Sequence, residues 1–468
     1  MRRTSVLILP MALLIGALLP HPASAEATET PPFSFLRQNE DWSSFADEAR
    51  DGPILERIKH VALSDDGSRW ASFGGTLRGR GEGWESFGLV SGGNSSDTFS
   101  VWRLLAHGDF RLSPRFRAFV EIKSALSDSR DLPGGTRVVD ADNLEVQQLF
   151  IDTELFSRSR VKATLRVGRQ AFLLGRGRLV APRIWANTLR SWDGLNARVE
   201  HGSWQTDLFW SRPTVTDATD LNRADSDRVF YGGYTKREAA DKTLEFYILG
   251  IDHDDVVTIN GSTGPEDRRT FGARAVIAKK KPLTFEFESA FQSGNVGSDD
   301  VRAWMATAEA TWRPRGCRLK PTLRLLLDVA SGDDAAGGDV GTFNQLFPLG
   351  HGNLGAADLV SRQNIIAPSL HLTVKPTDRT TLRLAMHQFH RESRGDGVYA
   401  VSGAEFVNAA AGISREIASE LDFAIIVALN SRLRLEVGGA RVYAGDFLEQ
   451  AGRSEDLTFG YGQLEFRF

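Results

Sequence analysis

The side chains best equipped for chemistry in this chain are guanidinium groups. Of its 56 basic residues ten are lysine, which leaves 46 arginines. A guanidinium holds a carboxylate or phosphate through two parallel hydrogen bonds and keeps its charge in a confined space. The densest run lies between Phe156 and Trp192, where nine basic residues stand without one Asp or Glu: Arg158, Arg160, Lys162, Arg166, Arg169, Arg176, Arg178, Arg183 and Arg190. Spread over one strand, its loop and the start of the next, they can present several cations to an anionic solute. We read the run as lining a passage, most strongly at Arg166, Arg169 and Arg190, rather than as facing lipopolysaccharide phosphates or water.

Other chemistries find less support. His107, His351, His387 and His390 have no nucleophile motif around them, so an enzyme is not expected. The single Cys317 excludes a disulfide scaffold and a multi-cysteine zinc site. Asp333, Asp334 and Asp339 lack the spacing of an EF-hand, and neither a metal nor a cofactor is expected. A formal charge of -4 argues against a nucleic-acid partner.

The elements that must position the arginines follow from patterning. Arg2 and Arg3, an apolar run from Val6 to Leu19 and Ala23-Ser24-Ala25 form a secretory signal over residues 1–25. Residues 26–68 are polar and irregular and are expected to stay in the periplasm. From residue 69 to 468 the chain is all-β in texture, with segments of about ten residues alternating at period two. Leu421, Phe423, Ile425, Val427 and Leu429 share one face there, with Asp422 on the other, and Leu433, Leu435 and Val437 alternate with Arg432, Arg434 and Glu436. A soluble sandwich turns the apolar face to a core, whereas a membrane barrel turns it to lipid and keeps the charges in a wet lumen.

Connection lengths separate the two. Eighteen strand-like segments start near residues 70, 98, 115, 144, 160, 190, 203, 227, 242, 269, 282, 301, 318, 362, 378, 416, 431 and 456. Connections after even segments are tight, as at Ser113-Pro114 and Asn430-Ser431. Those after odd segments are often long, notably 128–143, 171–188, 213–226, 253–268, 331–360 and 392–414. This alternation predicts a transmembrane, antiparallel up-and-down barrel with short periplasmic turns, long extracellular loops and both ends in the periplasm. The 331–360 loop, with Phe343, Leu346 and Phe347, is expected to fold into the barrel mouth as a constriction. The terminal Phe468 resembles the signal read by barrel-insertion machinery. Charged strand faces give eleven cations and eleven carboxylates for the lumen, Arg198 among them, so any anion preference must come from uneven placement.

An ordered series of motifs also resembles the alginate-export family of outer-membrane barrels. It includes Phe73-Gly74-Gly75-Thr76-Leu77-Arg78-Gly79-Arg80, Trp102-Arg103-Leu104-Leu105, Arg166-Val167-Gly168-Arg169-Gln170, Ser191-Trp192-Asp193-Gly194 and Leu346-Phe347-Pro348. The resemblance implies a passive conduit in the outer membrane, surrounded by lipid and lipopolysaccharide, that passes an anionic polysaccharide. It implies Arg103, Arg166, Arg169 and Arg190 as pore residues, with Asp152 and Asp193 as acidic partners. Two departures stand out: Asn196, followed by Arg198, takes a position where the family often has Arg, and the short Asn430-Ser431 connection leaves no room for a periplasmic lid. A general diffusion porin or an uptake channel for small organic anions is the alternative.

Overall fold

The computed structural model describes residues 33–46 and 52–468. Two units separate in it, Met1–Phe33 and Ser34–Phe468. The expected signal segment 1–25 lies outside the described residues, and the second unit holds the fold.

Eighteen long strands run in chain order through that unit. They are β1 (Trp70–Glu85), β2 (Asp97–Ser113), β3 (Phe116–Asp128), β4 (Asp142–Arg158), β5 (Val161–Gln170) and β6 (Trp192–His201). Next come β7 (Trp204–Val215), β8 (Arg228–Glu238), β9 (Lys242–Ile259), β10 (Ser262–Ile277), β11 (Leu283–Val296) and β12 (Asp299–Trp312). The last six are β13 (Thr322–Ala330), β14 (Ile365–Thr377), β15 (Thr380–His390), β16 (Glu416–Ala428), β17 (Leu433–Ala444) and β18 (Leu457–Arg467). Each pairs antiparallel with its sequence neighbours, and β1 closes on β18 with Thr76 opposite Arg467. Closure leaves no edge strand, so every backbone ladder is satisfied within the wall, as a lipid environment demands.

The two faces fall as a membrane barrel requires. On β16, Leu421, Phe423 and Ile425 are exposed outward while Glu420 is fully buried inward; on β13, Leu325 and Leu327 are exposed and Asp328 is buried. Trp204 and Trp312 stand outward at the short-turn end, where aromatic side chains meet a membrane interface. The expected barrel, its strand count and the asymmetry of its connections are therefore present.

Two expectations need correction. The 253–268 stretch is not a long connection. β9 and β10 run through it and meet at Asn260-Gly261, whose φ angles of 41° and 90° are those of a type I′ hairpin turn. Beside it Arg269 pairs across the ladder with Asp252 at 2.8 Å and along its own strand with Asp267 at 2.5 Å. The inward face is also not charged throughout. On β6 to β9 it carries Trp192, Phe209, Phe230 and Tyr247, which form an apolar core with Phe343 and Phe347 from the β13–β14 loop.

That core exists because two loops fold inward. In the β5–β6 loop (171–191) and the β13–β14 loop (331–364), Val180 and Phe347 form a parallel bridge. The Phe347 N–H donates to the Leu179 carbonyl at 2.8 Å, and the Ala181 N–H to the Phe347 carbonyl at 2.8 Å. The expected inward packing of the 331–360 loop is thus realised, with a second loop as its partner. At the opposite end, residues 34–46 enter the barrel beside β1 to β4. Arg37 donates to the Phe468 carbonyl at 2.8 Å, and Arg117 donates to the Gln38 carbonyl at 2.6 Å.

Candidate functional site

The site is the space left between the inward-folded loops and the short-turn end. Its ceiling is pinned by arginines on β1 and β2. Arg78 donates to the carbonyls of Trp185 and Ala186, each at 3.1 Å, and Arg103 donates to Ala186 at 2.8 Å. Arg80 donates to the Trp185 carbonyl at 2.8 Å and lies 4.0 Å from the centre of that ring, on which His351 stacks at 3.7 Å and Tyr461 packs edge to face at 4.8 Å. The alternation of Thr76, Arg78, Arg80 and Glu82 through the glycines of β1 marks these as inward residues, a signal the sequence reading left unused.

On the far wall Arg178 is buried between Glu286 at 2.6 Å and Glu288 at 2.8 Å. Arg362 closes the same knot by pairing with Asp328 at 2.6 Å and donating to the Arg178 carbonyl at 2.8 Å. Removing one partner of such a buried pair strands a charge away from water, a cost of about 3–5 kcal/mol. The loops are therefore held firmly. Gly355 permits a close approach: its φ is 90°, and a Cβ there would come 2.5 Å from the Glu420 carboxylate, which accepts a hydrogen bond from the Ala357 N–H at 2.8 Å.

Below the ceiling lie two connected hollows, of about 850 Å³ and 620 Å³, that share Arg176, Glu309, Thr311 and Arg313. The larger is lined by eight arginines and four carboxylates, and the smaller by eight lysines and arginines and four carboxylates. The equal count for the whole barrel therefore conceals an uneven placement, because carboxylates concentrate beside the loop anchors. Arg383 is exposed to the larger hollow, and among the described residues no carboxylate pairs with it. His371 and His387 pack edge to face on the same wall, 5.0 Å apart.

The sequence-predicted residues divide among three places. Arg103 lines the larger hollow. Arg166 and Asp152 form a two-pronged pair at 2.7 Å and 2.9 Å, with the guanidinium 3.7 Å from the centre of the Phe150 ring. Together with Arg198, which pairs with Asp207 at 2.8 Å, they line a separate hollow of about 230 Å³ bounded by Gln38 and Asn39. Arg169 holds Asp193 at 2.7 Å and 2.9 Å and also pairs with Glu145, beside the β7–β8 loop. Arg190 donates to the Ala181 carbonyl at 3.0 Å within its own loop. The dense basic run in sequence is thus dispersed by the fold, and Asn196, at the departure noted above, donates to the Asp207 carboxylate at 3.1 Å.

Comparison with known proteins bears on what such a barrel is. The model of the family described as "Alginate export" matches residues 69–460. No curated protein matches the chain. Among solved structures, Pseudomonas aeruginosa OpdO superposes with a TM-score of 0.56 at 12% identity, covering 85% of this chain and 97% of its own. P. aeruginosa OccD3 (OpdP) gives 0.56 at 11% identity, covering 92% and 98%. The P. aeruginosa outer membrane protein OpdK gives 0.55 at 11% identity, covering 85% and 98%. At these identities the structures share the fold alone. The family match spans nearly all of the barrel, and with the closed eighteen-stranded wall, the outward apolar belt and the inward loops it leads to one conclusion: this chain belongs to the alginate export family and is an outer-membrane channel.

Proposed function

We propose that the channel is a passive conduit for an anionic polysaccharide of the alginate type. The observation that carries this reading is the excess of arginine over carboxylate, eight against four, around the larger hollow, with Arg383 left unneutralised. A uronate polymer carries one carboxylate per sugar, and guanidinium groups recognise carboxylates in pairs of hydrogen bonds. The Trp185–His351 stack lines the same hollow. Arg166, Arg198 and Asp152 would serve as a side pocket off this route, and Arg169, Arg190 and Asp193 as the scaffold that shapes it.

The inward-folded loops support a second reading, a channel for small organic anions, since they narrow the route to what a short solute needs. Purified protein in planar bilayers separates the two. Alginate oligomers longer than the barrel should interrupt the chloride current in discrete blocks, and neutral glucans of equal length should not. Interruption by small carboxylates with no effect of the oligomers would favour the second reading.

A further inference from the structure

The short-turn connections of the barrel carry eleven Lys and Arg against two Asp, whereas the long-loop connections carry twelve against seventeen Asp and Glu. The barrel is therefore positive at its periplasmic rim and negative at its outer rim. The positive charge is also concentrated around the ring: Lys279, Lys280 and Lys281, three of the ten lysines of the chain, occupy the single turn between β10 and β11, and Arg313 and Arg315 follow β12 next to it.

These side chains border the 620 Å³ hollow together with the inward-facing Arg274 and Glu286, so they face the route rather than the surrounding lipid. They also differ from the arginines deeper in the barrel. Arg274 is neutralised by Glu245 at 2.6 Å and Glu286 at 3.0 Å, and Lys279 is paired with Glu238. Arg313 and Arg315 hydrogen-bond to neutral groups, the Thr284 hydroxyl at 3.3 Å and the Lys280 carbonyl at 3.5 Å. Among the described residues no carboxylate forms an ion pair with either of them, or with the ammonium groups of Lys280 and Lys281; Asp241 accepts only from the Lys280 backbone N–H, at 3.3 Å. Charge left unneutralised at a mouth raises the local concentration of an opposite ion and its rate of capture, an effect that salt suppresses.

We infer that this one-sided basic crescent is the docking surface for a polyuronate arriving from the periplasm, and that it makes loading from that side faster than loading from outside. The inference rests on the conduit reading above and adds to it the place where the polymer first docks. A polymer that threads outward meets cations first and a net-negative rim last, so its leading end is not recaptured on leaving.

The test uses the full-length mature protein in phosphatidylcholine bilayers, whose zwitterionic headgroups do not compete for the crescent. Orientation is read from the side on which Cys317 reacts with an impermeant maleimide, since that residue is exposed in the β12–β13 connection. Alginate oligomers are added to one side at a time and the rate of current interruption is measured. The wild type should block at least ten times faster from the periplasmic side. In K280E/K281E/R315E that ratio should fall below three, with the outer-side rate changed less than twofold, while K280R/K281R/R315K should keep it. At 1 M salt the wild-type ratio should shrink toward one. Equal rates from both sides in the wild type, or an unchanged ratio in the Glu variant, would overturn the inference and leave the conduit standing. Absence of any block from either side would overturn both.

Discussion

Reversing two arginines of the larger hollow tests whether its excess charge sets ion preference. Arg383→Glu with Arg313→Glu alters the balance of eight cations and four carboxylates by four units, from an excess of four to zero. Both residues are exposed and lack carboxylate partners among the described residues, so the change strands no buried charge. An ion about 7 Å from one unit charge in water feels about 0.6 kcal/mol. Screening at physiological salt, with a Debye length of about 8 Å, reduces this to about 0.25 kcal/mol. Four units then amount to about 1 kcal/mol for each ion, favourable to the cation and unfavourable to the anion. The chloride-to-potassium permeability ratio should therefore drop on the order of tenfold or more. Reversal potentials across a KCl gradient measure it directly: the wild type should favour chloride and the variant should show little preference. Arg302→Glu with Arg441→Glu is the control, because both stand on the outer face near the extracellular end, paired with Asp300 and Asp456. An equal shift in the control, or none in the Arg383 and Arg313 variant while it still conducts, would refute the charge argument.

Arg178→Met should release the β5–β6 loop by leaving Glu288 without its buried cationic partner, so conductance rises severalfold and added protease cleaves the loop, while the fast-migrating band of the unheated, folded barrel persists on SDS gels. In intact cells the native Cys317 should not react with an impermeant maleimide, whereas in a Cys317→Ser background a cysteine at the exposed Gly338 should react and one at Asn430 should not; labelling at Asn430 from outside would invert the orientation. Burial pushes the Lys59 ammonium, which lies 4.8 Å from the centre of the Trp42 ring, down to about 7 from an ordinary 10.5. Its folded value is below its unfolded one, so the penalty for burying the charge is full below pH 7 and is relieved as pH rises toward 10.5. Protease cleavage within 52–60 should accordingly slow between pH 6 and pH 9, and Lys59→Met should abolish that dependence.

The barrel was legible in the sequence because its signals are local. Alternation at period two is a property of each strand, and the contrast of short and long connections needs only the spacing between strands. Both hold before any strand finds its partner, and the apolar and charged faces of β16 and β17 were assigned correctly from them. The Asn260-Gly261 turn was equally local, but the acidic run from Asp252 to Asp255 hid it. The partner of that run, Arg269 on the facing strand at 2.8 Å from Asp252, is not revealed by spacing along one strand. The interior was a different matter. Nine cations between Phe156 and Trp192 read as one cluster in sequence, yet three of them found carboxylates on separate strands: Arg166 in Asp152, Arg169 in Asp193 and Glu145, and Arg178 in Glu286 and Glu288. A charge taken out of water must be compensated at short range, and which carboxylate does so depends on how two loops fold into the barrel. Strand chemistry set the wall from sequence alone. Where free positive charge remains, at Arg383 and along the turns after β10 and β12, was decided by which carboxylates the inward loops had already used.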